Sequence, residues 1–372
     1  MTETMLFQKI VKAMQSIRQE MKQVHGDLNI PDIYFEETRK DDGSHCLMPL
    51  VALKTIPCGW LRAGGGCTMC GYQLVASLDR IPTEKNIIKQ TEYTIRTVPS
   101  KIYPLITFST AGSFLDTREL SDELRPKLLK MLADSGYKEF NFESRPEFLL
   151  NHERLSQLKE YFDTVSVGMG LESKNNLIRN VCVNKGTMLK TYELAAEALQ
   201  KHNIYYDAYV LVGKPFLTAT EDIEDTLKTV QYAFDLGFGR IFLMLCNIQP
   251  STLTYCLYKK GKFEIPMLWS AIEIIKRLPA KDRSRVYIKG FNRAVPMPME
   301  LPQNCEKCNI QVMDKLIHWN LTGDFKHIEN LPICNCIDQF KERLAVIADN
   351  PLKERIEQFL DGFTPESICN EA

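Results

Sequence analysis

Three cysteines, Cys58, Cys67 and Cys70, stand in a C-x8-C-x2-C pattern within KTIPCGWLRAGGGCTMCGY, residues 54–72. A disulfide uses two thiols and a closed structural zinc site uses four. Three thiolates suit a different task. They can bind three irons of a [4Fe–4S] cluster, a group that ordinarily takes four cysteines. The fourth iron then keeps a free coordination position, by the logic that leaves a catalytic zinc open. Two plainer readings are a loop enriched in cysteine by chance and a zinc site completed by His45. Cys58 is expected to close a strand, and Cys67 and Cys70 follow the run Gly64-Gly65-Gly66. Loops after the C-terminal ends of parallel barrel strands build active sites, so the chemistry is expected where these thiols fall.

A second set lies far downstream. Cys305-x2-Cys308 and Cys334-x-Cys336 flank the helical stretch IQVMDKLIHWN, with 25 residues between the pairs. Four thiolates fit a closed tetrahedral zinc site or an auxiliary [4Fe–4S] cluster. Zinc is the preferred reading, an auxiliary cluster or no metal the alternatives, and the metal would staple the C-terminal segment. Cys46, Cys182, Cys246, Cys256 and Cys369 read as core or incidental thiols. The chain holds 12 cysteines. Clustered in this way, in a protein expected in the reducing cytoplasm, they point to metal ligation and not to a disulfide framework.

The elements that must position these residues follow from the hydrophobic pattern. A helix is expected over 5–25 and a loop over 26–48. Strand-like runs then appear at 51–58, 102–110, 139–144, 164–170, 205–213 and 240–248, with a seventh possible strand at 285–291. Helical stretches at 125–136, 188–203 and 220–237 alternate with them and end near Gly or Asn. Six β-then-α units predict an α/β protein built as a partial (β/α)6 barrel of parallel strands. The expected organisation is an N-terminal helix and lead-in over 1–48, the barrel over 49–292, and a cysteine-containing C-terminal extension over 293–372.

A chain of 372 residues accommodates such a barrel with an extension. A formal net charge of −1 gives no basic excess for strong independent nucleic-acid binding. The N-terminus is a mixed-charge amphipathic pattern and not a signal peptide. No apolar run is long enough to span a bilayer, and no membrane association is expected.

With the cluster loop after the first barrel strand, the sequence resembles the radical S-adenosylmethionine (SAM) superfamily. There the methionine part of SAM chelates the open iron through its amino and carboxylate groups. The superfamily's usual spacing is C-x3-C-x2-C; the gap of eight is shared with the branch that resembles the elongator catalytic subunit. TFSTAGSFLD (107–116), FNFESRPEF (140–148), VGMGLESKNNLIRNVCVNKG (167–186), AYVLVGKPFLTATEDIEDT (208–226), NIQPSTLTYCL (247–257) and IPMLWS (265–270) resemble the archaeosine-associated radical SAM family. The resemblance covers roughly residues 45–340. It implies a 5′-deoxyadenosyl radical made by reductive SAM cleavage. It further implies a C–N lyase step on a lysine-modified 7-deazaguanine in tRNA, beside a partner subunit that attaches the lysine and could supply tRNA affinity. A reductant such as ferredoxin or flavodoxin is implied as a partner. The rivals are a radical SAM enzyme acting on a small metabolite or peptide, and a non-catalytic scaffold stabilised by zinc.

The resemblance also places contacts to SAM. Met69 matches the position that packs on the adenine, and Tyr72 is counted with it. Gly112 and Ser113 match the site that holds the SAM amino group with exposed backbone. Glu143, Ser144 and Arg145 end a strand and could hold the zwitterionic methionine end; the alternative is a structural Glu143–Arg145 pair. Glu172 and Ser173 fall where ribose or methionine contacts are placed, the alternative for Glu172 being a helix-capping carboxylate. Asn184, Lys185 and Gly186 form a turn before a helix, where Lys185 is expected in solvent. Tyr209, Lys214 and Asn247 are candidates to face SAM or substrate.

Overall fold

A computed structural model describes residues 1–19, 26–40, 43–72, 80–292 and 297–362. Cys369 and the end of the expected N-terminal helix lie outside them.

Eight strands form one sheet in chain order: β1 (Asp32–Arg39), β2 (His45–Ala52), β3 (Leu105–Ser109), β4 (Glu139–Glu143), β5 (Thr164–Gly170), β6 (Tyr205–Val212), β7 (Ile241–Leu245) and β8 (Val286–Lys289). β1 runs antiparallel to β2, and every later neighbour is parallel. All six expected parallel strands are present, and the seventh run forms β8. Residues 26–48, read as a loop, instead contain β1 and the start of β2. β2 ends at Ala52, so Cys58 lies beyond the strand and does not close it. The expected boundary at residue 48 therefore falls inside β2.

The helices are α1 (Glu3–Gln19), α2 (Gly59–Gly64), α3 (Glu84–Thr97), α4 (Leu124–Asp134), α5 (His152–Tyr161), α6 (Leu189–Lys201), α7 (Ala219–Asp235), α8 (Leu253–Lys259), α9 (Leu268–Arg277), α10 (Ala280–Arg283), α11 (Asn309–Thr322), α12 (Lys326–Glu329), α13 (Cys336–Ala345) and α14 (Leu352–Asp361). α7 shows why the alternation was readable. Thr218 caps it and Glu221 returns the bond in a full capping box, and an apolar stripe of Ile223, Val230 and Ala233 is buried.

Alternation along the strands sorts the two sheet faces. Ile106, Phe108, Phe140, Phe142, Val165, Val167, Leu243, Val286 and Ile288 are fully buried in the main apolar core with the helices. The opposite face carries Thr107, Asn141, Glu143, Ser166, Asp207, Tyr209 and Lys289. A packed (β/α)8 barrel fills its centre with branched apolar side chains. This face is instead polar and aromatic.

The sheet edges meet through side chains. Glu36 on β1 pairs with Lys289 on β8. Arg39 lies 5.1 Å over the Tyr287 ring and donates to the Ser284 carbonyl. On α11, Asn320 Oδ1 accepts from the Ile288 amide at 2.8 Å, and its Nδ2 donates to the Ile288 carbonyl at 2.7 Å. A side-chain amide thus covers backbone groups that an edge strand would leave open.

A second apolar cluster joins Leu6, Ile10, Met14 and Ile17 of α1 to Ile356 and Leu360 of α14 and to Val181, Leu253 and Leu257. Lys9 pairs with Asp361 at 2.8 Å. The N-terminal helix is therefore packed onto the thiol end of the barrel.

Candidate active site

The thiol loop is gripped from two sides. Cys58 caps α2, and Gly65 ends it at φ +73°, a conformation L side chains rarely adopt. A Cβ on Gly65 would lie 2.6 Å from Met14 Cβ and 2.7 Å from the Gln15 nitrogen, so glycine also permits the approach of α1. From α1, Arg18 donates to the carbonyls of Gly65 (3.2 Å), Cys67 (3.2 Å), Cys70 (2.8 Å) and Ser251 (2.6 Å). From the other side, Asn184 Nδ2 donates to the carbonyls of Gly64 (2.8 Å) and Gly66 (2.7 Å). Thr68 binds the Val183 carbonyl through its amide at 3.0 Å and the Cys182 carbonyl through its hydroxyl at 2.9 Å.

Burial raises all three thiols above their ordinary pKa; Arg145 opposes this at Cys58, Lys185 at Cys67 and Arg18 at Cys70. Three cations thus surround the place where thiolates would carry negative charge. The three sulfurs are not gathered around one point: among the described residues, only the C-terminal cysteines form a group close enough for a single ion. Three thiols that do not close on a single ion would suit a larger group. His45 begins β2, eight residues long, while Cys58 lies past the strand's other end, so the strand separates that imidazole from the thiols.

Gly112 and Ser113 sit beside Cys58, and a Cβ on Gly112 would come within 2.8 Å of Cys58 Cα. Their amides are already bound, Gly112 N to Glu119 Oε2 and Ser113 N to Glu119 Oε1, both at 3.0 Å. Burial pushes the Glu119 carboxyl up to about 7. With those N–H groups occupied, what this turn offers an ammonium is acceptor oxygen. Glu119 escaped sequence reasoning because no spacing rule ties an acid to amides six and seven residues before it.

Glu143 and Arg145 do not pair with each other. Arg145 binds Glu147, the Lys185 carbonyl (3.0 Å) and Thr187 Oγ1 (2.6 Å), with its guanidinium 5.5 Å over the Trp60 ring. Glu143 accepts from the Tyr209 hydroxyl at 2.9 Å. The Ser144 hydroxyl donates to the Arg145 carbonyl at 3.2 Å. Glu172 adopts φ +62° and pairs with Lys185 at 3.0 Å. Lys185 is therefore buried and not in solvent. Burial acts to lower its pKa, but Glu172 and then Cys67 outweigh this and hold the ammonium charged.

Several residues expected to make contacts also have partners within the protein. Ser173 Oγ donates to Asp225 Oδ1 at 2.8 Å. Lys214 is enclosed by Asp222 (3.0 Å), Asp225 (3.2 Å) and Thr226 (2.8 Å), which leaves it fastening α7 and not facing a ligand. Asn247 Oδ1 accepts from Gln249 Nε2 at 2.8 Å. Met69 packs against the α1–α14 cluster. Tyr72 keeps 37% of its surface accessible, yet desolvation, followed by the charges of Glu143 and Cys70, raises its phenol far above the ordinary range.

The second thiol set is assembled. Cys305, Cys308, Cys334 and Cys336 place their sulfurs within 4.8 Å of one another. Sγ separations are 3.7 Å for 305–308, 3.3 Å for 305–334 and 3.4 Å for 308–336. Zn–S bonds of about 2.3 Å in a tetrahedron put sulfurs about 3.8 Å apart. A cube of irons and sulfides would hold its thiolates further apart. Trp269 Nε1 donates to Cys336 Sγ at 3.2 Å, tying the set to α9.

A sheet of mostly parallel strands curled around a polar interior, with three thiols on the loop after its first parallel strand, is the architecture of radical SAM proteins. No family model matches the chain. An uncharacterised protein of Methanocaldococcus jannaschii is 33% identical over 294 residues, 77% of this chain and 79% of its own. An archaeosine synthase subunit beta of Methanosarcina acetivorans is 28% identical over 344 residues, 90% of this chain and 96% of its own. Among solved structures, a queuine lyase of Clostridium spiroforme bound to SAM and queuine is similar with a TM-score of 0.41 and 19% identity, covering 56% of this chain and 78% of that one. The chain belongs to the same family as the M. jannaschii protein, and it is similar to archaeosine synthase subunits beta along most of their length. No helix among the described residues is long and apolar enough to cross a membrane.

Proposed function

We propose that this chain is the radical SAM subunit of an archaeosine-type tRNA modification, carrying out C–N lysis on a lysine-modified 7-deazaguanine beside a partner that attaches the lysine. The observation that carries the reading is the match to a named archaeosine synthase subunit beta over 96% of that protein's length. A second such subunit, from Thermococcus kodakarensis, matches over 92% of its own. A net charge of −1 leaves most phosphate binding to the partner.

Cys58, Cys67 and Cys70 would hold a [4Fe–4S] cluster, and Met69, Tyr72, Gly112, Ser113, Glu172 and Asn247 remain candidates to line the SAM site. When bound and reduced by a ferredoxin or flavodoxin, the cluster supplies the electron that cleaves SAM to a 5′-deoxyadenosyl radical. The chain's own residues orient and shield. Arg18 and Asn184 fix the loop, Lys185 and Arg145 offset negative charge at the thiols, and the Gly112 turn offers acceptors for the methionine ammonium. The four C-terminal thiols would hold zinc, from their separations.

The test is anaerobic incubation of the reconstituted protein with lysine-modified tRNA, SAM and reductant, read by mass spectrometry of tRNA nucleosides. Archaeosine with matching 5′-deoxyadenosine is the expected outcome. SAM cleavage that leaves the tRNA unchanged would point to a small-molecule or peptide substrate and end the tRNA reading.

A further inference from the structure

The charged side chains on the interior face are engaged to different degrees. Asp207 takes the Arg240 amide at 3.0 Å, its Nε at 3.1 Å and its Nη2 at 2.6 Å. Glu172 and Lys185 close on each other at 3.0 Å beside Cys67. Glu36 and Lys289 are less enclosed. They meet where β1 approaches β8, and their side chains keep 36% and 15% of their surface accessible. Among the described residues, Lys289 donates to Glu36 Oε1 alone, whereas an ammonium has three donors and a carboxylate two acceptor oxygens.

The pair is not what closes the sheet edges. An ion pair this exposed adds little to stability. The edges are already fastened by Trp319 Nε1 on the Val286 carbonyl at 3.0 Å, by Asn320 on both backbone groups of Ile288 and by Arg39 over the Tyr287 ring. Val286 and Ile288 are buried on the helix side, so Tyr287 and Lys289 point to the interior. Lys289 Nζ lies 5.7 Å over the Phe242 ring, and Tyr209, Phe242 and Tyr287 form an aromatic row with centroid separations of 5.6 Å and 5.3 Å. Tyr72 approaches from the thiol loop. Desolvation raises its phenol most, followed by Glu143, Cys70, Tyr34 and Glu36, so its hydroxyl stands within electrostatic reach of both Cys70 and the pair.

A neighbouring cation and anion match a ligand end that carries the same two charges in reverse. The ligand's carboxylate docks on the ammonium and its ammonium on the carboxylate, so that the four charges alternate. An apolar stem attached to such an end can lie along aromatic surface. A lysine joined to a base through its side-chain amine keeps its carboxylate and its remaining ammonium on one carbon, as this pair requires. We propose that Lys289 and Glu36 bind the charged end of the lysine carried by the substrate, Lys289 its carboxylate and Glu36 its ammonium, with the methylenes along Phe242 and Tyr287. This rests on the lysine-modified tRNA reading above. It adds a substrate subsite that shares no residue with the thiols or with the SAM candidates.

The experiment compares tRNA carrying the lysine adduct with the same tRNA carrying the cadaverine adduct, which lacks only the carboxylate. Both are offered to wild type, Lys289→Met, Lys289→Arg and Glu36→Gln, and SAM affinity is measured separately by calorimetry. Wild type should prefer the lysine adduct by at least about 100-fold in kcat/KM, because a site built around polar contacts rejects an analogue lacking them. Lys289→Met should lose about 100-fold on the lysine adduct and change less than about threefold on the cadaverine adduct, with SAM affinity within about twofold. Lys289→Arg should restore a preference of about tenfold or more. Glu36→Gln should lose about tenfold on both adducts, since both keep the ammonium, and retain the preference. A preference that survives in Lys289→Met, or a collapse of its SAM affinity, overturns the proposal while leaving the tRNA reading intact. Wild type that treats both adducts alike overturns it even if the variants fail to fold. Wild type that acts on neither tRNA defeats the tRNA reading and this inference with it.

Discussion

The two thiol sites of this protein are made of the same side chain and are built as opposites. The loop at 58–70 spreads three thiols beside Arg18, Arg145 and Lys185 and is held by polar bonds to its backbone. The set at 305–336 draws four sulfurs within 4.8 Å, with Cys308 and Cys336 in the main apolar core beside Trp269, Val312 and Phe340 and with Cys305 and Cys334 packed against it. Four close thiols complete a coordination shell and leave no place for a reactant, so such a site fastens. Three separated thiols with nearby cations leave a vacancy and can tolerate a change of charge. The difference lies less in the cysteines than in what the rest of the chain packs around them.

The sharpest way to break this contrast is to remove one thiol from each side. Cys308→Ala should lower the melting temperature by about 10 °C or more and abolish zinc stoichiometry, since structural metal binding is folding free energy. A melt unchanged from wild type would mean the C-terminal set fastens nothing. Cys67→Ala should do the reverse, with the brown cluster absorbance gone and the metal-free melting temperature within about 3 °C of wild type. A collapse of the fold in Cys67→Ala would erase the distinction. A smaller effect is expected from Arg18→Ala, which keeps every thiol but frees the loop. Bonds from a charged donor contribute about 1.5–3 kcal/mol, so iron release to a chelator should quicken about tenfold or more, with Arg18→Lys recovering part of it. Equal release rates would show that α1 does not hold the loop.

Much of this was readable from local pattern. β5 spans the seven residues 164–170 that the alternation marked, and α6 and α7 fall within two residues of their expected bounds. The four C-terminal thiols were identified from spacing alone. What escaped was mostly tertiary. Arg18 reads as one more charge on an amphipathic helix, and it acquires its role from backbone groups far along the chain; Glu119 reads as one more acid in a loop, and it acquires its role from amides six and seven residues before it. Lys185 was expected in solvent because its partner, Glu172, lies thirteen residues away in a left-handed conformation. β1 is a different kind of miss. DIYFEETR alternates, and a glycine turn separates it from HCLMPLVA, which is a hairpin signal that the surrounding charges obscured.

The grip of Arg18 also fixes an order of events during synthesis. Its guanidinium bridges carbonyls at residues 65, 67 and 70 to one at 251, and the helix that carries it is held by α14 at the far end of the chain. The ribosome delivers all three cysteines early, yet the cradle that holds them in place closes only when α8 and α14 have emerged. A nascent chain halted before Ser251 would display the three thiols without the bridge that Arg18 makes across the loop.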